Sequence, residues 1–84
     1  MPELCRFNGI VISIVYGDHP PPHFHVRYSG VDATVDIQSL SVRSEELPPR
    51  VVRQVIEWAS RRQAELRNAW KLASQDMPPG KIDP

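Results

Sequence analysis

Three proline clusters, Pro20-Pro21-Pro22, Pro48-Pro49 and Pro78-Pro79, constrain this chain more than any other feature of it. Proline fixes φ and lacks an N–H, so none of these clusters can lie inside a helix or a central strand. They cut the 84 residues into three stretches and a tail, and each stretch has to build its own regular structure. The length predicts one domain, with sheet over about residues 6–44, helix over about 48–75 and a tail over 76–84, of which Lys81 to Pro84 is expected to fray.

In the first stretch, Ile10 to Tyr16 (IVISIVY) is β-branched and aromatic and is bounded by Asn8-Gly9 and Gly17-Asp18, which predicts a buried strand. The proline triplet then predicts a stiff, extended connector. After it, His23 to Tyr28 (HFHVRY) alternates strictly. Phe24, Val26 and Tyr28 share the side that belongs in the core, and His23, His25 and Arg27 share the other. Ser29-Gly30 forms a two-residue hairpin loop into Val31 to Ile37, where Val31, Ala33, Val35 and Ile37 point inward and Asp32, Thr34 and Asp36 outward. Leu40 to Arg43 adds a short fourth strand.

Glu45-Glu46-Leu47-Pro48-Pro49 has the marks of a helix start, with proline in the first turn and carboxylates beside the positive end of the dipole. From Arg50 to about Ser74 there is neither glycine nor proline. Apolar side chains recur there at Val52, Val55, Ile56, Ala59, Leu66, Ala69, Trp70 and Ala73, near the helical period. A straight helix of that length would be roughly 37 Å long, more than a four-stranded sheet needs. It therefore either breaks near Ser60 to Gln63, where the apolar pattern lapses, or packs its far end on another copy. The expected fold is α+β: an antiparallel sheet of three or four strands with one long C-terminal helix, whole or broken, packed on one face.

Charge narrows the function classes. Ten basic and ten acidic side chains cancel, which excludes nucleic-acid binding by bulk charge alone. Up to Leu47 three basic residues face six acidic ones, and from Pro48 onward seven face four. In the basic half, Arg50, Arg53, Arg61, Arg67 and Lys71 form a stripe, partly neutralised by Glu57. The stripe reads as a solvated face first and a phosphate track second. No apolar run reaches the roughly 20 residues that span a bilayer, and the first residues lack the basic start and apolar stretch of a signal peptide, so a cytoplasmic location without a membrane partner is expected. The lone Cys5 can form neither an internal disulfide nor a thiolate zinc site. No cofactor is expected.

The chemistry concentrates in Gly17 to His25, where all three histidines and one carboxylate fall within nine residues. His23 and His25, two apart on a strand, project from one face, and the prolines fix where His19 and Asp18 lie relative to them. Three uses of this window stay open. Asp18, His19, His23 and His25 could ligate zinc, nickel or copper. His23 and His25 could instead act as acid and base on a phosphodiester, with His19 or Asp18 orienting one ring and Arg27 holding the phosphate, as in a metal-independent endoribonuclease. Or the rings and Asp18 satisfy the main chain of a proline-rich corner and shape a binding surface. Arg62 falls in the helix sector that faces the sheet, so it snorkels, marks a break, or reaches a strand carboxylate or the window as a further binding residue. Trp70 shares the core sector, whereas Trp58 lies at its margin, where it could anchor a homodimer or a partner.

Arg6 to Ile12 (RFNGIVI), Gly17 to Val26 (GDHPPPHFHV), Leu47-Pro48-Pro49-Arg50 and Glu57-Trp58-Ala59 resemble the small prokaryotic family called domain of unknown function 4160. The resemblance implies no activity and no site residue. It implies membership of a two-gene cassette laid out like a toxin–antitoxin pair, commonly beside a protein of the domain of unknown function 2442 type. The expected function is therefore an interaction module that binds that neighbour, and RNA as a second class of partner, through Asp18, His19, His23, His25, Arg27 and Arg62. The endoribonuclease and the metal site are the alternatives.

Overall fold

A computed structural model describes residues 1–44 and 46–84. Glu45, one of the two carboxylates expected ahead of the helix, lies outside the described residues. Five strands form one antiparallel meander in chain order: β1 (Glu3–Phe7), β2 (Ile10–Ser13), β3 (His23–Tyr28), β4 (Val31–Asp36) and β5 (Val42–Arg43). Two helices follow, α1 (Pro49–Arg61) and α2 (Gln63–Ser74), and the whole is the α+β arrangement expected. Among the described residues no helix is long and apolar enough to cross a membrane.

The extra strand, β1, pairs with β2 through a tight turn at Asn8 and Gly9, both left-handed with φ of 50° and 76°. Asn-Gly is the strongest two-residue hairpin signal because both central positions of that turn need positive φ. The predicted strand over Ile10 to Tyr16 is correspondingly shorter. It leaves the ladder after Ser13, and Tyr16 is exposed. The β3–β4 hairpin turns on Ser29 and Gly30 as expected, again with positive φ at both.

The core lies between one face of the sheet and the helices. Phe24, Val26, Ala33, Val35 and Ile37 are buried as the alternation predicts, together with Leu4, Ile10 and Ile12. From the helices come Val51, Val55, Trp58 and Ala59 on α1 and Leu66, Ala69 and Ala73 on α2. The two tryptophans thus exchange the places expected of them. Trp58 is 2% exposed and packs on Phe7 and Phe24, with ring centroids 5.7 and 6.0 Å away. It offers no exposed anchor to a second copy. Trp70 is only half-buried. The buried stripe of α1 runs 51, 55, 58 and 59: Val55 and Ala59 are as inferred, and Val51 and Trp58 take the places expected of Val52 and Ile56.

The helix does break, at Arg62 (φ −123°, ψ 16°). Two contacts hold the break. The Gln63 amide donates to the Ile37 and Gln38 carbonyls (2.9 and 3.2 Å), tying α2 to the end of β4, and the Ser60 hydroxyl bonds back to the Glu57 carbonyl (2.8 Å), an arrangement that bends helices. Residues 81–84 are not a frayed tail. Ile82 is buried, its N–H reaches the Leu4 carbonyl (2.8 Å), and the Trp58 indole N–H reaches the Asp83 carbonyl (2.9 Å). The segment runs along β1 and covers part of a sheet edge that would otherwise present unpaired main-chain groups. Cys5 is buried, and burial pushes its thiol up.

Candidate functional site: a His-Asp-His cluster

The period of two along β3 puts His23, His25 and Arg27 on the sheet face opposite the core. β3 is the middle strand, paired on both sides, so these positions are fixed by two ladders. Ser13 and Thr34 flank His25, Val11 and Asp32 flank Arg27, and Asp36 lies beside His23. Arg43 extends the His25 row through its pairing with Thr34.

The connection from β2 to β3 carries Asp18 over these histidines. The Ile14 N–H bonds to the Pro2 carbonyl (3.1 Å) and the Gly17 N–H to the Ala73 carbonyl at the end of α2 (3.2 Å). The chain then bends at Pro20 and Pro21, joined by a cis peptide bond, in place of the extended run expected. One carboxylate oxygen of Asp18, Oδ2, lies 2.8 Å from His23 Nε2 and 3.2 Å from His25 Nε2. The other, Oδ1, accepts the His19 main-chain N–H (2.8 Å). That N–H is the first cause holding the Asp18 carboxyl below its ordinary range; burial opposes it, and the His25 and His23 contacts add to it. All three side chains are between one-fifth and three-tenths exposed.

The two rings differ in what they leave free. His23 engages both nitrogens, because its Nδ1–H donates to the Pro21 carbonyl (2.8 Å) while Nε2 meets Asp18. A proton exchange between His23 and a substrate would first have to release one of those partners. His25 uses Nε2 alone, and among the described residues its Nδ1 has no hydrogen-bond partner. The rings meet edge to face at 5.2 Å, and His23 also packs against Trp70 at 5.1 Å.

A family model, Domain of unknown function (DUF4160), matches residues 9–71. The chain belongs to that family. The matched stretch of this DUF4160 protein includes the whole cluster and Trp70, and it leaves out β1 and the segment that covers its edge. No curated protein and no solved structure matches the chain.

Of the residues singled out by sequence, the DUF4160 fold brings Asp18, His23 and His25 together. It leaves the exposed His19 ring outside that group, so the four-ligand set reduces to three. Arg27 faces the same side but is held by Asp32 in a two-point ion pair (2.8 and 3.1 Å), which also holds the Asp32 carboxyl down. Arg62 does not reach the window. Its partners are Glu65 (3.2 Å) and the Pro84 main-chain oxygen (3.3 Å), and its buried Nε has none among the described residues. The basic stripe is solvated along its length: Arg50, Arg53, Arg61, Arg67 and Lys71 are all exposed.

Sequence reasoning missed the neighbours that shape the surface. One hollow of about 370 Å³ borders His25, Arg27, Asp32, Glu3 and Ser13, and another of about 280 Å³ borders His19, His23, Thr34, Asp36 and Arg43. Alternation already placed Thr34 and Asp36 outward. What it lacked was the register that sets them beside the histidines. Trp70 carried no local signal, since its contact with His23 depends on where α2 turns after Arg62.

Proposed function

We propose that this protein is the small binding member of a cytoplasmic, prokaryotic two-gene pair laid out like a toxin and its antitoxin. It meets a neighbour protein of the domain of unknown function 2442 type with the open face of its sheet. One observation carries the reading: the helices pack on one face, with Trp70 of α2 reaching round to His23, and the other face presents an ordered polar surface with two hollows around the His-Asp-His cluster. Polar groups already held in place lose little freedom when a partner docks on them. The charge of this face favours protein over RNA, because Asp32 ties up Arg27, and Asp36 and Glu3 lie among the remaining cations.

The test is co-expression with the neighbouring gene product, read by co-elution. Thr34→Arg and Arg43→Glu, on the open face, are expected to break the complex, whereas Arg53→Glu and Lys71→Glu, on the helices, leave it intact. The reverse pattern, or no complex at all, contradicts the proposal. Salt-sensitive RNA binding by the isolated chain would move the partner class to RNA.

A second reading has its own observation. His25 keeps Nδ1 free, and in the tautomer whose Nε2–H donates to Asp18 that nitrogen has the arrangement of a general base. It predicts RNA cleavage by the metal-free protein that His25→Ala abolishes without lowering the melting temperature. Retention of cleavage in that variant rules it out.

A further inference from the structure

We propose that Asp18, His23 and His25 form a binding site for one divalent transition-metal ion of the zinc class. The inference stands apart from the choice of partner, because it concerns the isolated chain.

Convergence is the first ground. One ligand atom from each residue lies within 4.8 Å of the other two, and Asp18 Oδ2 is 2.8 and 3.2 Å from the two Nε2 atoms. Zinc–nitrogen and zinc–oxygen bonds of about 2.0–2.2 Å at tetrahedral angles put neighbouring donors roughly 3.3 Å apart. The His25 contact already has that spacing, and the His23 contact reaches it with a shift of about half an ångström. Both imidazoles present the same nitrogen to one point.

The contacts behind the ligands are the second ground. A ligating histidine commonly donates its other N–H to a main-chain carbonyl or a carboxylate, which fixes the tautomer and turns the lone pair toward the metal. His23 does this, with Nδ1–H on the Pro21 carbonyl. Asp18 is held likewise, its non-converging oxygen accepting the His19 main-chain N–H. The Gly17 bond to Ala73 fixes the loop, and the two ladders of β3 fix the histidines.

Donor arithmetic is the third. A neutral imidazole has one N–H. His23 uses it on Pro21, so its Nε2 lone pair faces a carboxylate oxygen at 2.8 Å. Two lone pairs at that distance need something between them: a proton, carried by the ring or by the carboxyl, or a metal. Two nitrogens and one oxygen suit zinc, nickel or cobalt, whereas magnesium takes oxygen ligands and keeps its waters. Three protein ligands at a partly exposed position leave further coordination sites open to water or to an incoming side chain.

The experiment is a zinc titration of the chelator-treated chain by calorimetry, with His19→Ala as the internal control. One zinc per chain is expected. His19→Ala should bind within about threefold of the parent, while His25→Ala should lose at least the roughly 10- to 100-fold that hydrogen-bond partners of a metal's ligands are worth. No saturable binding, another stoichiometry, or an equal loss in His19→Ala overturns the proposal. Should His25→Ala not fold, imidazole ¹H–¹⁵N spectra of the parent decide the matter. Zinc is expected to shift the His23 and His25 ring nitrogens and spare those of His19, and magnesium to shift none. Shifts at all three rings with zinc, or at none, overturn it.

Discussion

Ile82→Ala separates a packed C-terminal segment from a frayed one. The side chain is 6% exposed, and its main-chain N–H is bonded to Leu4. The substitution removes three carbons beyond Cβ, worth about 0.8 kcal/mol each on transfer from water, or about 2.4 kcal/mol together. A cavity cost normally adds to this and takes Ile→Ala to about 2–5 kcal/mol. Here the segment is held at few points and can settle inward, so about 2–3 kcal/mol is expected. A chain of this length has roughly 4–13 kcal/mol of total stability, which makes the loss a large share of it. Thermal unfolding followed by far-ultraviolet circular dichroism should show a melting temperature lower by roughly 8–24 °C, given about 4–8 °C per kcal/mol for a domain this small. The amide of Ile82 should also lose its protection from hydrogen exchange. A melting temperature within about 2 °C of the parent, corresponding to at most about half a kcal/mol, would refute the packing of residues 81–84 on β1.

Gln63→Ala removes both bonds that tie α2 to the carbonyls just past β4; at about 0.5–1.5 kcal/mol each, it should lower the melting temperature by roughly 4–24 °C, and a change under about 2 °C would remove Gln63 from the account of the helix break. Acid should destabilise the fold. The Arg6 guanidinium holds Glu3 below its ordinary 4.5, and Arg27 and the Ser39 main-chain N–H do the same for Asp32 and Asp36, whose ordinary value is 3.8. A lowered folded value gives stability that is complete above the ordinary value and drains as pH falls through the folded one, so unfolding titrations should show the loss below about pH 4.5, continuing toward pH 3. Equal stability at both ends of that window would contradict the assignment.

Most of the sheet was legible because its signals are local. The alternation in HFHVRY and the turn at Ser29-Gly30 depend only on neighbouring residues, and both fixed which side chains face the core. β1 was missed although Asn8-Gly9 announced its hairpin, because Glu3 to Phe7 is short and mixes charge with apolar residues. The helix was harder. The lapse of the apolar pattern over Ser60 to Gln63 marked the break, but the stripe was phased as one helix across it, and the contacts of Gln63 with the carbonyls just past β4 that set the turn are not legible in the helix; hence the exchange of Trp58 and Trp70. Lys81 to Pro84 was taken as free because charged residues and prolines surround its one apolar anchor, Ile82, and nothing nearby says that β1 has an edge to cover.

The same division applies to the site. Strand spacing was enough to pair His23 with His25, and proximity in sequence suggested Asp18. It equally suggested His19, and only the fold of the loop separates the two: Asp18 turns in over the strand while the His19 ring stays exposed. Arg27 was placed on the right face without its partner Asp32, which is a cross-strand neighbour and so a property of register.

The account rests on one carboxylate gathering two of the three imidazoles. Long-range ¹H–¹⁵N spectra of the imidazole nitrogens, compared between the metal-free parent and Asp18→Asn, test this most directly. The ring nitrogens of His23 and His25 should both move, and those of His19 should stay near their positions in the parent. Unchanged His23 and His25 resonances, or a His19 ring that moves as far as they do, would contradict it.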